Sequence, residues 1–458
     1  MSRLKTIALL IAILILSLST TALAQQHFNG TLGDGATYVI DVPAHWNGTL
    51  LLYSHGYVVP GSPNPAQDVG DPITGAFLLN AGFALAGTSY ATTGWAVHEA
   101  IPDQIAVLDV FNNLVGAPTH TVAWGHSLGG MITAGLIQEH PERFTAALPM
   151  CGVLSGGVGT WNQALDGAFA FNTLVAGGVL QVVHITNPSQ NLGLAEQILS
   201  AAQATPQGRA RLALVAALGD TPGWFIPTAP EPGRKDYAAQ ELNQFLWFQN
   251  VDWPFAFAFR AELEFRAGGN PSRNTGVNYE RQLARSVNRD EVRALYAAAG
   301  LDLDKDLDTL NNAARISADP AALDYLKANI IYNGQLSMPV LTLHTTGDGL
   351  VVPENERAYS GVVHRAGDTR FLRELFVHRA GHCEFSPAET LTAFGALSLR
   401  VATGHWPELE PDDLNFVAQL LGPGFNVIFV NGNVVPAAPA FVEFEPAPFL
   451  RPFDTFSK

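Results

Sequence analysis

Cysteine is nearly absent from this chain: two of 458 residues, Cys151 and Cys383. A disulfide framework is therefore excluded, and the fold must rest on its own hydrophobic core. Charge is scarce as well, at 14% of residues, with 25 Lys and Arg against 41 Asp and Glu. The resulting formal net charge of −16 argues against nucleic acid or an anionic membrane as the main partner. It suits solubility and a neutral or cationic small substrate. Beyond residue 24 no run has the length and apolarity of a membrane-spanning helix, and no internal repeat is visible. What the chain does have is 47% hydrophobic residues, enough for a large core plus an accessory unit.

Residues 1–24 read as a secretory leader. Arg3 and Lys5 supply a positive start, residues 7–18 a short apolar stretch, and Ala22-Leu23-Ala24 an A-x-A cleavage pattern before Gln25. An uncleaved membrane anchor is the alternative, which the shortness of the apolar stretch disfavours. The expected protein is secreted or periplasmic, free of the membrane once the leader is removed. Its compartment permits the two cysteines to pair.

Short apolar runs alternating with helical patterns occupy residues 25–151. Runs at 38–42, 49–53, 83–87, 121–124 and 144–150 predict strands. Helices are predicted from about Pro102 to Leu114 and over 131–139, and a polar Pro- and Gly-rich loop over 59–71. This alternation predicts an α/β fold built on a mostly parallel sheet. The rhythm stops at Cys151 and resumes after Pro339 with strands at 340–344 and 371–377. Residues 152–337 carry helical patterns instead, at 207–218, 236–248, 255–266 and 289–298. Asn288 with Glu291 resembles a capping box before the last of these. The expected organisation is a core of 25–151 and 338–404, a helical cap inserted at 152–337, and a tail at 405–458 packing on the core. One hairpin is predicted in that tail, around Asn431-Gly432.

The strongest chemical signal is Gly125-His126-Ser127-Leu128-Gly129-Gly130, a G-x-S-x-G pattern between a predicted strand and a predicted helix. A serine on so sharp a turn needs small neighbours two residues away on either side. Serine is a poor nucleophile at neutral pH and needs a base oriented by an acid. In the order serine, acid, histidine, the acid is Asp348, after the strand at 340–344, and the base is His382, after the strand at 371–377. Asp306 and Asp324 precede that strand and compete poorly; His378 reads as structural and His405 as a weaker base. An oxyanion hole needs two backbone N–H groups. Leu128 supplies one, and Tyr57, in Ser54-His55-Gly56-Tyr57, is expected to supply the other.

This ordered set, His55-Gly56, Gly125-x-Ser127-x-Gly129, Asp348 and His382, resembles the α/β-hydrolase superfamily over residues 38–150 and 338–400. The resemblance implies a serine hydrolase working without cofactor or metal, on a fold that also hosts peptidases and non-enzymes. Cys383 directly after His382 is also similar to the tannase and feruloyl esterase family, where that cysteine bonds one just before the nucleophile. Here His126 holds that position, and Cys151 is the residue expected to replace the missing partner. A buried free thiol at each position is the alternative.

Other candidates are weaker. Tyr90 and Trp95, in the loop after the strand at 83–87, and Trp247 and Trp253, in the insert, are expected substrate contacts. Asp302-x-Asp304-x-Asp306-x-Asp308 lacks the glycine and the final acid of a calcium loop and reads as a solvated helix entry. The expected function is hydrolysis of a small-molecule or polymer-derived carboxylic ester through an acyl-enzyme. An exported peptidase, with Glu262, Glu264 or Glu280 binding a free amine, is the second reading, and a non-catalytic binding protein the third.

Overall fold

The structure is a computed structural model describing residues 26–452; the leader expected at 1–24 lies outside them. In chain order the strands are Gln26–Thr31 (β1), Thr37–Val42 (β2), Thr49–Ser54 (β3), Ala84–Thr88 (β4), His120–His126 (β5), Ala146–Met150 (β6), Val340–Gly347 (β7), Leu372–Ala380 (β8), Val427–Val430 (β9), Asn433–Pro436 (β10) and Phe441–Val442 (β11). The main sheet has the order β1-β2-β4-β3-β5-β6-β7-β8-β11. From β4 to β8 its neighbours run parallel, while β1, β2 and β11 are antiparallel additions at the edges. This order, with its interior parallel strands, is that of the α/β-hydrolase fold.

The parallel strands are buried on both faces, and the two-residue period divides their side chains. Leu50 and Leu52 of β3 join Ala123, Met131 and Ile132 in one core. Leu51 and Tyr53 join Trp124, Leu148 and Leu343 in the other. Helices Val97–Leu114 and Leu128–Glu139 cover the first face and Pro387–Thr403 the second. Between β6 and β7 the chain forms a run of helices, from Gly156–Leu174 to Pro320–Ala328. These bury a core of their own that includes Leu165, Phe169, Leu212, Trp253 and Phe257. Glycines at 156, 157, 159 and 167 weaken the helix propensity of Gly156–Leu174, which burial of most of its length overrides.

Several elements differ from the sequence expectation. The helix expected from Pro102 begins at Val97, because burial of Val97, Ala100 and Ile101 stabilises turns that contain the proline. The loop at 59–71 leads into an unforeseen helix, Pro72–Asn80, where the Asp71 side chain accepts from Thr74 N at 2.8 Å and Pro72 opens the first turn. Residues 255–266 are not one α-helix: Phe248–Asp252 and Phe255–Phe259 are π-helical, and α-helix resumes at Arg260–Ala267. Asn288 and Glu291 form no capping box. Asn288 Nδ2 donates to Thr221 O at 2.9 Å and Glu291 accepts from Gln244 at 2.8 Å, so distant partners replace the local cap. The tail is more regular than expected. It carries the β9–β10 hairpin, but also the helix Pro411–Leu420 and β11, which is two residues long and leaves no pattern to read.

One buried ion pair holds the tail to the sheet. Arg379 of β8 makes a two-pronged contact with Glu389, at 2.7 and 2.9 Å, and donates to Glu384 O and Ala438 O at 2.7 and 3.0 Å. Glu389 in turn closes a capping box with Ser386 and accepts from Ala440 N at 3.0 Å. Removing the carboxylate strands a buried guanidinium. Glu389→Ala is therefore expected to lower stability by about 3–5 kcal/mol in urea unfolding; a loss within error of zero would mean the pair does not anchor the tail.

Candidate active site

Parallel strands deliver the residues that follow them to one sheet edge. Ser54 of β3 pairs with Gly125 of β5, His126 with Met150 of β6, and Gly347 of β7 with Ala380 of β8. Ser127 follows β5 at φ 59° and ψ −123°, a left-handed conformation that a non-glycine residue adopts only under constraint. The constraint is visible around it. A Cβ on Gly129 would overlap Ser54 O, and one on Gly125 would overlap both Ser54 O and Gly129 O. Ser127 N donates to Met150 O at 3.0 Å, tying the turn to the end of β6.

The loop after β3 passes directly over the serine: a Cβ on Gly56 would stand 3.4 Å from Ser127 Cβ. His55 stacks on Tyr90 with ring centres 3.9 Å apart, and Tyr90 OH donates to His55 O at 2.9 Å. Tyr90 is thus turned inward beneath this loop. Among the described residues the Tyr57 amide meets no backbone acceptor, and the Leu128 amide, first in its helix, has none by position.

Asp348 and His382 come together as the chain order predicts. His382 Nδ1 donates to Asp348 Oδ2 at 2.7 Å. Asp348 is fully buried, and its Oδ1 accepts from Leu350 N and Val351 N, both at 3.0 Å. Burial opposes its charge, but His382 and His344 outweigh burial and hold the carboxyl below its ordinary range. The His382 loop is pinned to β7 by Gly381 N to Gly347 O at 3.2 Å and Thr345 Oγ1 to Gly381 O at 2.7 Å. Gly381, at φ 100°, permits that bend. The competing residues are elsewhere: Asp306 pairs with Arg211, Asp324 with Lys327, and His378 and His405 are exposed.

Cys151 and Cys383 form a disulfide with Cα atoms 5.5 Å apart. Cys151 follows Met150, which accepts from Ser127 N, and Cys383 follows His382. The bond therefore links the serine turn to the histidine loop through two residues on either side. His126 does not enter this link. Tyr53 OH lies 3.1 Å from its Nδ1, and burial, reinforced by the charge of His382, pushes it down to about 4.

The aromatic candidates separate. Trp95 is buried edge-on against Trp161, in the core rather than on an open face. Trp247 lies against Gly349, beside the acid, with Nε1 donating to Trp224 O at 2.9 Å. Trp253 lines a cavity between the insert and the acid loop, with Phe248 and Phe255 on one side and Gly349 and Leu350 on the other. Two groups in this region went unnoticed in the sequence. Asp252, also lining that cavity, is pushed up to about 8 by burial. His344, inside β7, faces Asp348 from below; its only sequence signal is a histidine in an otherwise apolar strand. Glu262 and Glu264 are taken up by Arg266 and Arg260, and Glu280 is exposed.

The fold and this turn define the class: a serine-type hydrolase with the α/β-hydrolase fold. The prolyl oligopeptidase family profile matches residues 87–156, the segment that contains Ser127. The o-phthalyl amidase of Xanthobacter agilis is 29% identical over 435 residues, covering 88% of this chain and 93% of its own. Among solved structures, feruloyl esterase B from Aspergillus oryzae superposes with a TM-score of 0.39 at 13% identity, covering 84% of this chain and 82% of its own. The acylaminoacyl peptidase of Pyrococcus horikoshii gives 0.38 at 10% identity, covering 84% and 43%.

The disulfide carries its own test. It closes a loop with a sequence separation of 232, so the chain-entropy model gives about 5 kcal/mol. Thiol titration of the unreduced, unfolded protein is expected to find no free thiol. Replacing both cysteines with serine is expected to lower stability by several kcal/mol, about 2–5. Two reactive thiols per chain would contradict the bond.

Proposed function

We propose that this chain hydrolyses carboxylic esters through an acyl-enzyme, with Ser127 as nucleophile, His382 as base and Asp348 as the acid that orients it. The observation that carries the reading is the 2.7 Å bond from His382 Nδ1 to a fully buried Asp348. That bond fixes the tautomer, and Nε2, which lies 3.4 Å from Cys383 Sγ, is the nitrogen proposed to exchange a proton with the serine hydroxyl. Ser127 Oγ attacks the acyl carbon while its proton passes to His382. The oxyanion is met by the amides of Leu128 and Tyr57. The alkoxide leaves with the proton from His382, and water, activated by the same imidazole, releases the acid and restores the serine.

The helical insert at 152–337 serves as the cap in this reading. The cavity lined by Phe248, Trp253 and Phe255 is the proposed seat of an aromatic or branched acyl group. Amide cleavage is the second reading, favoured by the similarity to an o-phthalyl amidase; it uses the same residues, with His382 protonating an amine. Capture of a free amine by the insert is less supported, since Glu262 and Glu264 already face arginines. Export is proposed from the leader pattern and is compatible with the disulfide; the mature protein would begin at Gln25.

A panel of chromogenic aryl esters and the matching aryl amides, run on the purified protein, tests the bond cleaved. Ester turnover well above amide turnover supports the proposal, and the reverse ranking replaces it with the amidase reading. Ser127→Ala is expected to lose at least about a thousandfold in kcat with folding intact. Asp348→Asn is expected to lose about 10³–10⁴-fold, because the tautomer is no longer enforced. Near-native turnover in either variant would exclude that residue from the mechanism. Trp253→Ala is expected to change the relative rates for aryl and short-chain acyl esters; unchanged ratios would make Trp253 simply core.

A further inference from the structure

His344 lies in β7, four residues before Asp348, with no exposed surface. Its Nε2 is 2.7 Å from Val351 O and its Nδ1 2.8 Å from Glu356 Oε1. A carbonyl oxygen only accepts, so Nε2 carries a proton. With the Glu356 carboxyl as the acceptor in its contact, Nδ1 carries one too. A ring with both nitrogens protonated is a cation. Asp348 Oδ2, the oxygen bonded to His382, lies 3.6 Å from the same Nε2. The Asp348 carboxylate is thus held between two imidazoles, one at the sheet edge and one sealed inside it.

We propose that His344 is a permanently charged imidazolium and a positioning residue for the triad, keeping Asp348 ionised and aimed at His382. The inference rests on the serine-hydrolase reading only for its kinetic consequence. The charge itself follows from the ring's partners.

Burial alone would strip the proton from His344, but the nearby Asp348 carboxylate and the bond to Glu356 reverse that and push it up to about 10. The other groups around the pair fit one fixed cation. On the helix Glu354–Ala366, Glu354 is pushed up to about 7 by burial, with His344 pulling the other way, and Tyr359 faces Glu356. From β8, Glu374 also faces Glu356 and is pushed up to about 8 by burial. Asp252 and Glu384 are the further acids within reach of Asp348, raised by burial to about 8 and about 7. His382 and, beyond it, His126 complete the circle. Near neutral pH Asp252 and Glu374 stay largely uncharged, and the carboxyl groups nearest the ring are those of Glu356, at 2.8 Å, and Asp348, at 3.6 Å.

The kinetic test has a defined sign. His344→Gln keeps a donor toward Val351 O but removes the charge. Without the cation, Asp348 holds a proton more readily, and its unshared negative charge also favours a proton on its partner. Both effects make the Asp348–His382 pair protonate at higher pH. The acid limb of kcat/KM is expected to move up by about one pH unit, with kcat at the alkaline plateau reduced far less than at pH 6. An acid limb superimposable on the native one would overturn the positioning role.

If His344→Gln does not fold, the native protein still decides the charge. Ring ¹⁵N spectra of labelled histidine, assigned with the Ser127→Ala protein held from pH 5 to 9, should show one buried ring carrying both protons throughout. A His344 ring that is singly protonated at pH 7 would overturn the proposal. That measurement needs no turnover, so its failure is distinct from failure of the hydrolase reading.

Discussion

A carboxylate buried completely must be compensated on every side, and Asp348 meets that requirement in a way that organises the whole sheet edge. Its Oδ1 draws in the amides of Leu350 and Val351, which shapes the loop leaving β7. Its Oδ2 holds His382 from β8, with His344 behind. Gly349 between them has no side chain because the Trp247 indole of the insert occupies that space. One charged group therefore fixes the acid loop, the histidine loop and the contact with the helical insert together.

The serine is held by a different physical means. There the governing force is repulsion: β3 and β5 bring Ser54 O so close to Gly125 and Gly129 that only glycine fits, and the backbone at Ser127 turns left-handed. The disulfide joins these two independently built halves, since Cys151 borders the residue that receives Ser127 N and Cys383 borders His382. Hydrogen bonds to β6 and β7 seat each half separately, and the disulfide adds a covalent link directly between them.

Much of this was legible beforehand where the signal is local. The elbow needs glycines two residues to either side of a serine, and that requirement is written in five consecutive positions. Asp348 and His382 follow apolar runs whose length already marks buried strands. The boundaries that went astray, at Val97, Pro72 and the π-helical turns near Trp253, depend on which face is buried and on caps such as Asp71, which a window of neighbours does not reveal. Asn288 shows the same limit in miniature, because Thr221, far away in the chain, takes the side chain that local spacing had assigned to a cap.

By itself the sequence determined the α/β sheet and the helical character of the stretch between β6 and β7, and it singled out a serine, an acid and a histidine, of which the last two meet in the structure. It did so because strand burial and the steric demands of a tight turn act over a few residues. Only the tertiary structure decided that Cys151 reaches Cys383, that Glu262 and Glu264 are engaged by arginines, and that Tyr90 supports a loop from within. It also decided that His344 stands beneath Asp348. The disulfide and the Tyr90 contact join segments distant in the chain, whereas the ion pairs of Glu262 and Glu264 and the approach of His344 to Asp348 span four residues each; spacing permits those, but only burial in the folded chain decides which of them form.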